Sequence, residues 1–165
     1  MLPPLWMPAY IGIGSNLDDP ARQVRAAIEA LAHIEGVRVI ARSKLYRTRA
    51  WGRTDQPDFV NAAVGTLSQL GSAQLLAQLL ALERAAGRPR EHEKWSPRVL
   101  DLDLLVFGSE QYASADRTIP HPGIAERAFV LAPLRDIAPT LCVPGAGRVS
   151  MLAARIDLTP AQVLE

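Results

Sequence analysis

Arg98-Val99-Leu100-Asp101-Leu102-Asp103-Leu104-Leu105-Val106-Phe107 sets two aspartates at i and i+2 inside an apolar run. In a β-strand that spacing sends both carboxylates out of one face and Leu100, Leu102 and Leu104 out of the other. One face is core; the other carries paired negative charge. Carboxylates held about 7 Å apart at the backbone repel unless a cation lies between them, and the candidates are arginine and a divalent metal.

The residues before the strand bear on that choice. Between Arg84 and Arg98 the chain places basic groups at Arg84, Arg88, Arg90, Lys94 and Arg98 against acids at Glu91 and Glu93 only. One arginine would neutralise the aspartate pair. Several cations beside metal-ready carboxylates match a polyphosphate, which needs oxygen ligands for Mg²⁺ and forks of donors for its own oxygens. A solvated basic loop with Arg98 paired to the acids is the plainer alternative, since charge clusters are often structural.

The chain has 165 residues, 48% of them hydrophobic and 21% charged, which fits one globular domain able to bury a core. A formal net charge of +1 gives no global field to attract nucleic acid. The lone Cys142 has no internal disulfide partner, and residues 1–8 do not resemble a secretory signal. No run reaches the roughly 20 apolar residues of a membrane span. The expectation is a cytoplasmic protein.

Outward from the acidic strand, residues 9–14 read as a strand and Asp18-Asp19-Pro20 as a helix start, with Gly36 as the stop. Gly12-Ile13-Gly14-Ser15-Asn16 lacks the third glycine of a dinucleotide fingerprint, so tight backbone packing explains the glycines better. Residues 37–46 suggest one long strand, 47–58 a loop containing Trp51, and 59–67 a further strand with Phe59, Asn61 and Ala63 on one face. Ser72 to Ala86 suggests a helix buried through Leu75, Leu76, Leu79, Leu80 and Leu82 and stopped by Gly87. His121 stands between two prolines, a short helical piece is expected through Ala125–Arg127, and Ser150–Arg155 and Thr159–Leu164 show short helical patterns. The alternation βα, ββ, αβ is that of a split βαβ sandwich. The expected class is α+β, a ferredoxin-like α/β sandwich with a mainly antiparallel sheet and extra strands and helices. It forms a single domain over 1–165, with a core of about 9–140 and an extension from 141.

Several separated motifs, in order, resemble one family: YIGIGSNL, LYRT followed by DQPDFVNA, GRPREHEKWSPRVLDLDLL, and the pair TIPHP and ERAFVLAPL. The chain resembles the 6-hydroxymethyl-7,8-dihydropterin pyrophosphokinases of folate biosynthesis. The resemblance implies transfer of pyrophosphate from ATP, the co-substrate, to the pterin hydroxymethyl oxygen. It implies Asp101 and Asp103 as ligands of two Mg²⁺ ions, and Arg88, Arg98, Arg127 and His121 as phosphate contacts. Arg90 and Trp95 would close over the reacting centre, and Glu83, Leu104 and Thr118 would line the ATP site. Thr48 and Asn61 would hydrogen-bond the pterin, with Phe59 and Phe129 sandwiching it. Arg49-Ala50, Phe59, Leu80 and Glu91 depart from the usual family residues. The implied partners are small molecules, with no nucleic acid or membrane, and the implied state is a monomer. The contrasting expectation for this fold, an RNA-binding module, would require the RNP1 pattern and stacked strand aromatics, which the chain lacks.

Overall fold

The computed structural model describes residues 2–50, 52, 54–87 and 97–164. In chain order the elements are β1 (Met7–Ser15), α1 (Pro20–Ala32), β2 (Val37–Arg42), β3 (Tyr46–Thr48), β4 (Phe59–Ser68), α2 (Ser72–Ala85) and β5 (Asp101–Phe107). There follow β6 (Tyr112–Ala113), β7 (Thr118–Ile119), α3 (Ala128–Ile137), β8 (Cys142–Val143), β9 (Gly147–Arg148), α4 (Val149–Ala154) and β10 (Gln162–Val163).

The main sheet runs β10-β3-β4-β1-β5, and β2 shares the β3 side of β4; every pairing is antiparallel. Its alternating residues feed two cores. Ala9, Ile11 and Ile13 of β1, Val60, Ala62 and Val64 of β4, and Leu102 and Leu104 of β5 bury against α1 and α2. On the opposite face Leu105 and Val106 join Val130, Leu131 and Leu134 of α3 and the residues of α4. A register shift makes this possible: Tyr10 faces Val106 while Ile11 faces Leu104, leaving Leu105 as the extra residue of a bulge. The sandwich is ferredoxin-like, an α+β fold as expected.

Several local expectations change. The strand expected over 37–46 is two pieces, because the Ser43 hydroxyl accepts the Ala63 N–H at 2.8 Å in place of a ladder carbonyl. α1 stops at Ala32; 3₁₀-type bonds at His33 and Ile34 tighten its end, and Gly36 (φ 78°) makes the turn into β2 instead. In α2 the buried line is Ser72, Leu75, Leu79 and Glu83, and Leu80 faces solvent. Residues 122–126 form turns, and the helix begins only at Ala128. Residues 162–163, expected to be helical, are an edge strand on β3, and Leu164 N–H donates to Leu45 O at 2.8 Å.

Two ties fix β3 between its neighbours. The Tyr46 hydroxyl donates to the Asp136 carboxylate, 2.8 and 2.9 Å from its two oxygens, and the Lys44 N–H donates to the same group at 3.2 Å, joining β3 to the end of α3. Burial first, then the bond to Asp136, pushes the Tyr46 phenol up to about 12. The folded protein therefore holds that proton above the pH, about 10, at which an unfolded tyrosine releases it. The tie's stabilisation is complete below pH 10 and is lost as pH rises toward 12. The melting-temperature gap between wild type and Tyr46→Phe is expected to narrow over pH 10 to 12; a gap that stays constant would contradict this bond.

Candidate active site

The central strands present a wall with few side chains on the α3 face. Gly12 pairs with Asp103, Gly14 with Asp101, and on the other side Gly14 pairs with Asn61. With no Cβ on β1 at these two positions, the carboxylates of β5 and the Phe59 and Asn61 side chains of β4 look across an open floor. The result is a cavity of about 250 Å³ lined by Gly12, Gly14, Thr48, Phe59 and Asn61 on one side and by Arg98, Asp101, Asp103, His121, Arg127 and Phe129 on the other. The floor is tight: a Cβ on Gly14 would sit 3.0 Å from Asn61 Oδ1 and 3.6 Å from the Phe59 ring.

One end is polar and flat. Asn61, buried, donates through Nδ2 to Thr48 Oγ1 at 2.7 Å, which fixes the amide plane and keeps its carbonyl beside the glycine floor. Phe59 and Phe129 line the same cavity. An amide edge between aromatic rings suits a flat heterocycle with donor and acceptor edges.

The other end is charged. Arg98 Nη1 lies 3.0 Å from Asp101 Oδ2, an ion pair only partly open to solvent. Among the described residues, no guanidinium stands within ion-pair distance of Asp103; His121 approaches it, with Nε2 3.9 Å from Oδ2. Burial, then the charges of Asp101 and Glu83, push the Asp103 carboxyl up to about 8, against the opposing pull of Arg127 and Arg98. Its side chain still keeps 34% of its surface, the edge that faces the cavity. Two carboxylates on one face of one strand, both lining the cavity, offer the oxygen donors that a hard divalent cation takes, so Mg²⁺ fits here.

His121 is oriented by its surroundings. The Gly123 N–H donates to Nδ1 at 3.1 Å, so the neutral ring carries its proton on Nε2, toward Asp103. Burial, then Arg127, holds its pKa below the usual histidine value, which keeps it a neutral donor at pH 7. Arg127 lies over the Phe129 ring at 5.8 Å, and a Cβ on Gly123 would collide with its guanidinium.

The cavity thus gathers Thr48, Phe59, Asn61, Arg98, Asp101, Asp103, His121, Arg127 and Phe129. It does not gather Glu83, Leu104 or Thr118. The Leu104 side chain is in the core shared with α1 and α2, because before the bulge Leu100, Leu102 and Leu104 point away from the carboxylates. Glu83, 2% exposed, accepts the Leu102 N–H at 2.7 Å, covering a donor on an edge strand. Thr118 is exposed on the small β6–β7 hairpin. Arg88, Arg90 and Trp95 lie outside the described residues. Sequence reasoning missed Gly12, Gly14 and Arg49 as cavity wall; the available signal was a strand face bare at i and i+2, next to a strand acidic at i and i+2.

The model of the 7,8-dihydro-6-hydroxymethylpterin-pyrophosphokinase (HPPK) family matches residues 10–139. The chain belongs to this family. It is an ATP-dependent pyrophosphokinase, a transferase of folate biosynthesis. It is 47% identical over 149 residues to a Methylorubrum extorquens 2-amino-4-hydroxy-6-hydroxymethyldihydropteridine pyrophosphokinase, covering 90% of this chain and 93% of that protein. A Haemophilus influenzae protein of the same name is 37% identical, over 87% and 89% of the two chains. A solved Plasmodium falciparum HPPK-DHPS chain superposes with a TM-score of 0.68 at 12% identity, over 92% of this chain and 42% of that one, a likeness of fold. No helix among the described residues is long and apolar enough to cross a membrane.

The repulsion between the aspartates has a consequence for the pyrophosphokinase without metal. At pH 9 in a chelating buffer, Asp103→Asn removes a half-buried like charge and is expected to melt a few degrees above wild type. The gain should vanish near pH 2, below the ordinary aspartate pKa of about 3.9, where the carboxyl is protonated in both the folded and the unfolded chain. An unchanged or lower melting temperature at pH 9 would contradict the electrostatics described.

Proposed function

We propose that the protein transfers the β,γ-pyrophosphoryl group of ATP to the hydroxymethyl oxygen of 6-hydroxymethyl-7,8-dihydropterin, releasing AMP and the pterin diphosphate. The observation that carries this reading is the cavity itself, where the Thr48–Asn61 amide edge and the rings of Phe59 and Phe129 face the Asp101/Asp103 pair. The relatives whose names specify that pterin match along nearly their whole length, which supports the same acceptor.

In this reading the pterin ring lies against Phe59 and Phe129, with Asn61 and Thr48 on its polar edge, so that its hydroxymethyl group points toward β5. Two Mg²⁺ ions held by Asp101 and Asp103 would neutralise phosphate charge and orient the ATP oxygens. Arg98 and Arg127 supply the remaining positive charge, and the His121 Nε2–H donates to a phosphate oxygen. As the alcohol oxygen bonds to the β-phosphorus, its proton passing to a phosphate oxygen, the bond from that phosphorus to the α,β-bridging oxygen breaks and AMP leaves with the bonding electron pair. No strong general base is required, because positioning and electrostatic stabilisation do most of the work. Arg88 is assigned to phosphate contact, and Arg90 and Trp95 to closure over the reacting centre, which would exclude water as a rival acceptor. The reading keeps the expectation of a cytoplasmic monomer acting on small molecules.

AMP is expected only when ATP, Mg²⁺ and hydroxymethyl-dihydropterin are supplied together. Asp101→Ala and Asp103→Ala should fold normally and lose several orders of magnitude in turnover. AMP release without pterin, or near-normal turnover in either variant, would overturn the assignment.

A further inference from the structure

Asn16 is 2% exposed and bonded on every side. Its N–H donates to Arg98 O at 3.1 Å, and its Oδ1 accepts the Arg98 N–H at 2.9 Å, a closed two-bond ring with the segment that leads into β5. Its Nδ2 donates to Gln56 Oε1 at 2.8 Å and to Pro57 O at 3.1 Å, in the loop that leads into β4. The amide can sit only this way round. Arg98 N–H needs an acceptor and Pro57 O needs a donor, so a flipped Asn16 would lose both.

These bonds join two walls of the cavity that are otherwise far apart in the chain. Gln56 and Pro57 stand just ahead of Phe59 and Asn61, on the heterocycle side; Arg98 stands three residues ahead of Asp101 and pairs with it, on the charged side. β1 lies between β4 and β5, the strands that carry the two walls, and Asn16 immediately follows its last residue. A shift of the Arg98 main chain, as when its guanidinium moves from Asp101 to a phosphate, is therefore transmitted to Asn16 and on to Pro57.

Resting on the pyrophosphokinase reading above, we infer that Asn16 is a positioning residue that couples nucleotide binding at Arg98 to pterin binding beside Phe59 and Asn61. It touches neither ligand. Its part is to make the Gln56–Pro57 loop and the Arg98 segment adopt one joint arrangement, so that each ligand favours the wall the other needs. By linkage the effect is reciprocal and is read as a ratio of dissociation constants.

The test measures the affinity of 6-hydroxymethylpterin with and without a non-hydrolysable ATP analogue and Mg²⁺, by calorimetry. In Asn16→Asp the Arg98 N–H keeps its acceptor, the contact with Pro57 O becomes one between two acceptors, and Gln56 loses its present bond and must turn its amide over to regain one. The ratio of the two pterin affinities is expected to fall about tenfold from wild type, the worth of two neutral hydrogen bonds. Gln56→Leu, which removes one of those bonds, should lower it about threefold. Adding Gln56→Leu to Asn16→Asp should lower it little further. A merely structural role would weaken pterin binding equally in both conditions and leave the ratio unchanged, and that result overturns the inference. Should Asn16→Asp fail to fold, Gln56→Leu alone decides by the same ratio. A wild type that binds both ligands with no coupling also overturns the inference while sparing the pyrophosphokinase reading. A wild type that binds neither defeats that reading itself.

Discussion

Two like charges on one face of one stiff strand are the constraint around which the molecule is arranged. Asp101 and Asp103 cannot move apart, because β5 is held by β1 along its inner edge and by the Leu102 and Leu104 core behind it. Arg98 pairs with Asp101, while burial and then the charge of Asp101 push the Asp103 carboxyl up to about 8, so full ionisation of the pair at neutral pH calls for a further cation. Isolated like charges of this kind would cost a small domain several kcal/mol of stability. Such strain at a cavity wall is the mark of a site completed by a ligand of opposite charge.

The rest of the sandwich serves that wall by leaving room beside it. Gly12 and Gly14 remove side chains where a third strand residue would have filled the cavity. The amide end depends on β3, a strand of only three residues that could not hold its place alone. The Tyr46 bond to Asp136 ties it to α3, and β10 covers its outer edge. Residues 141–164 thus support the heterocycle side of the cavity, both through β10 and through α4 packed on α3.

Much of this was legible in the sequence, for identifiable reasons. The period-two pattern of 100–104 put leucines behind and aspartates in front, and the same rule placed Phe59 with Asn61; both hold because strand geometry depends on local backbone alone. What was not legible depended on pairing. The break at Ser43 arises because a hydroxyl takes the place of a carbonyl 20 residues away. β10 forms because β3 offers it an edge. Glu83 reads as the polar end of a helix, yet it is buried because an edge-strand N–H needs an acceptor. Asn16 reads as a turn residue; nothing in its neighbours reveals that Gln56 and Arg98 converge on it.

The central claim is that Asp101 and Asp103 bind divalent ions with the nucleotide. Counting Mn²⁺ bound in the presence of pterin and a non-hydrolysable ATP analogue, by electron paramagnetic resonance, addresses it directly. Wild type should retain two ions per chain, and Asp103→Asn should lose at least one of them at the same free Mn²⁺ concentration. An unaltered stoichiometry and affinity in that variant would show that the ions are held elsewhere and that the acidic face of β5 has another purpose.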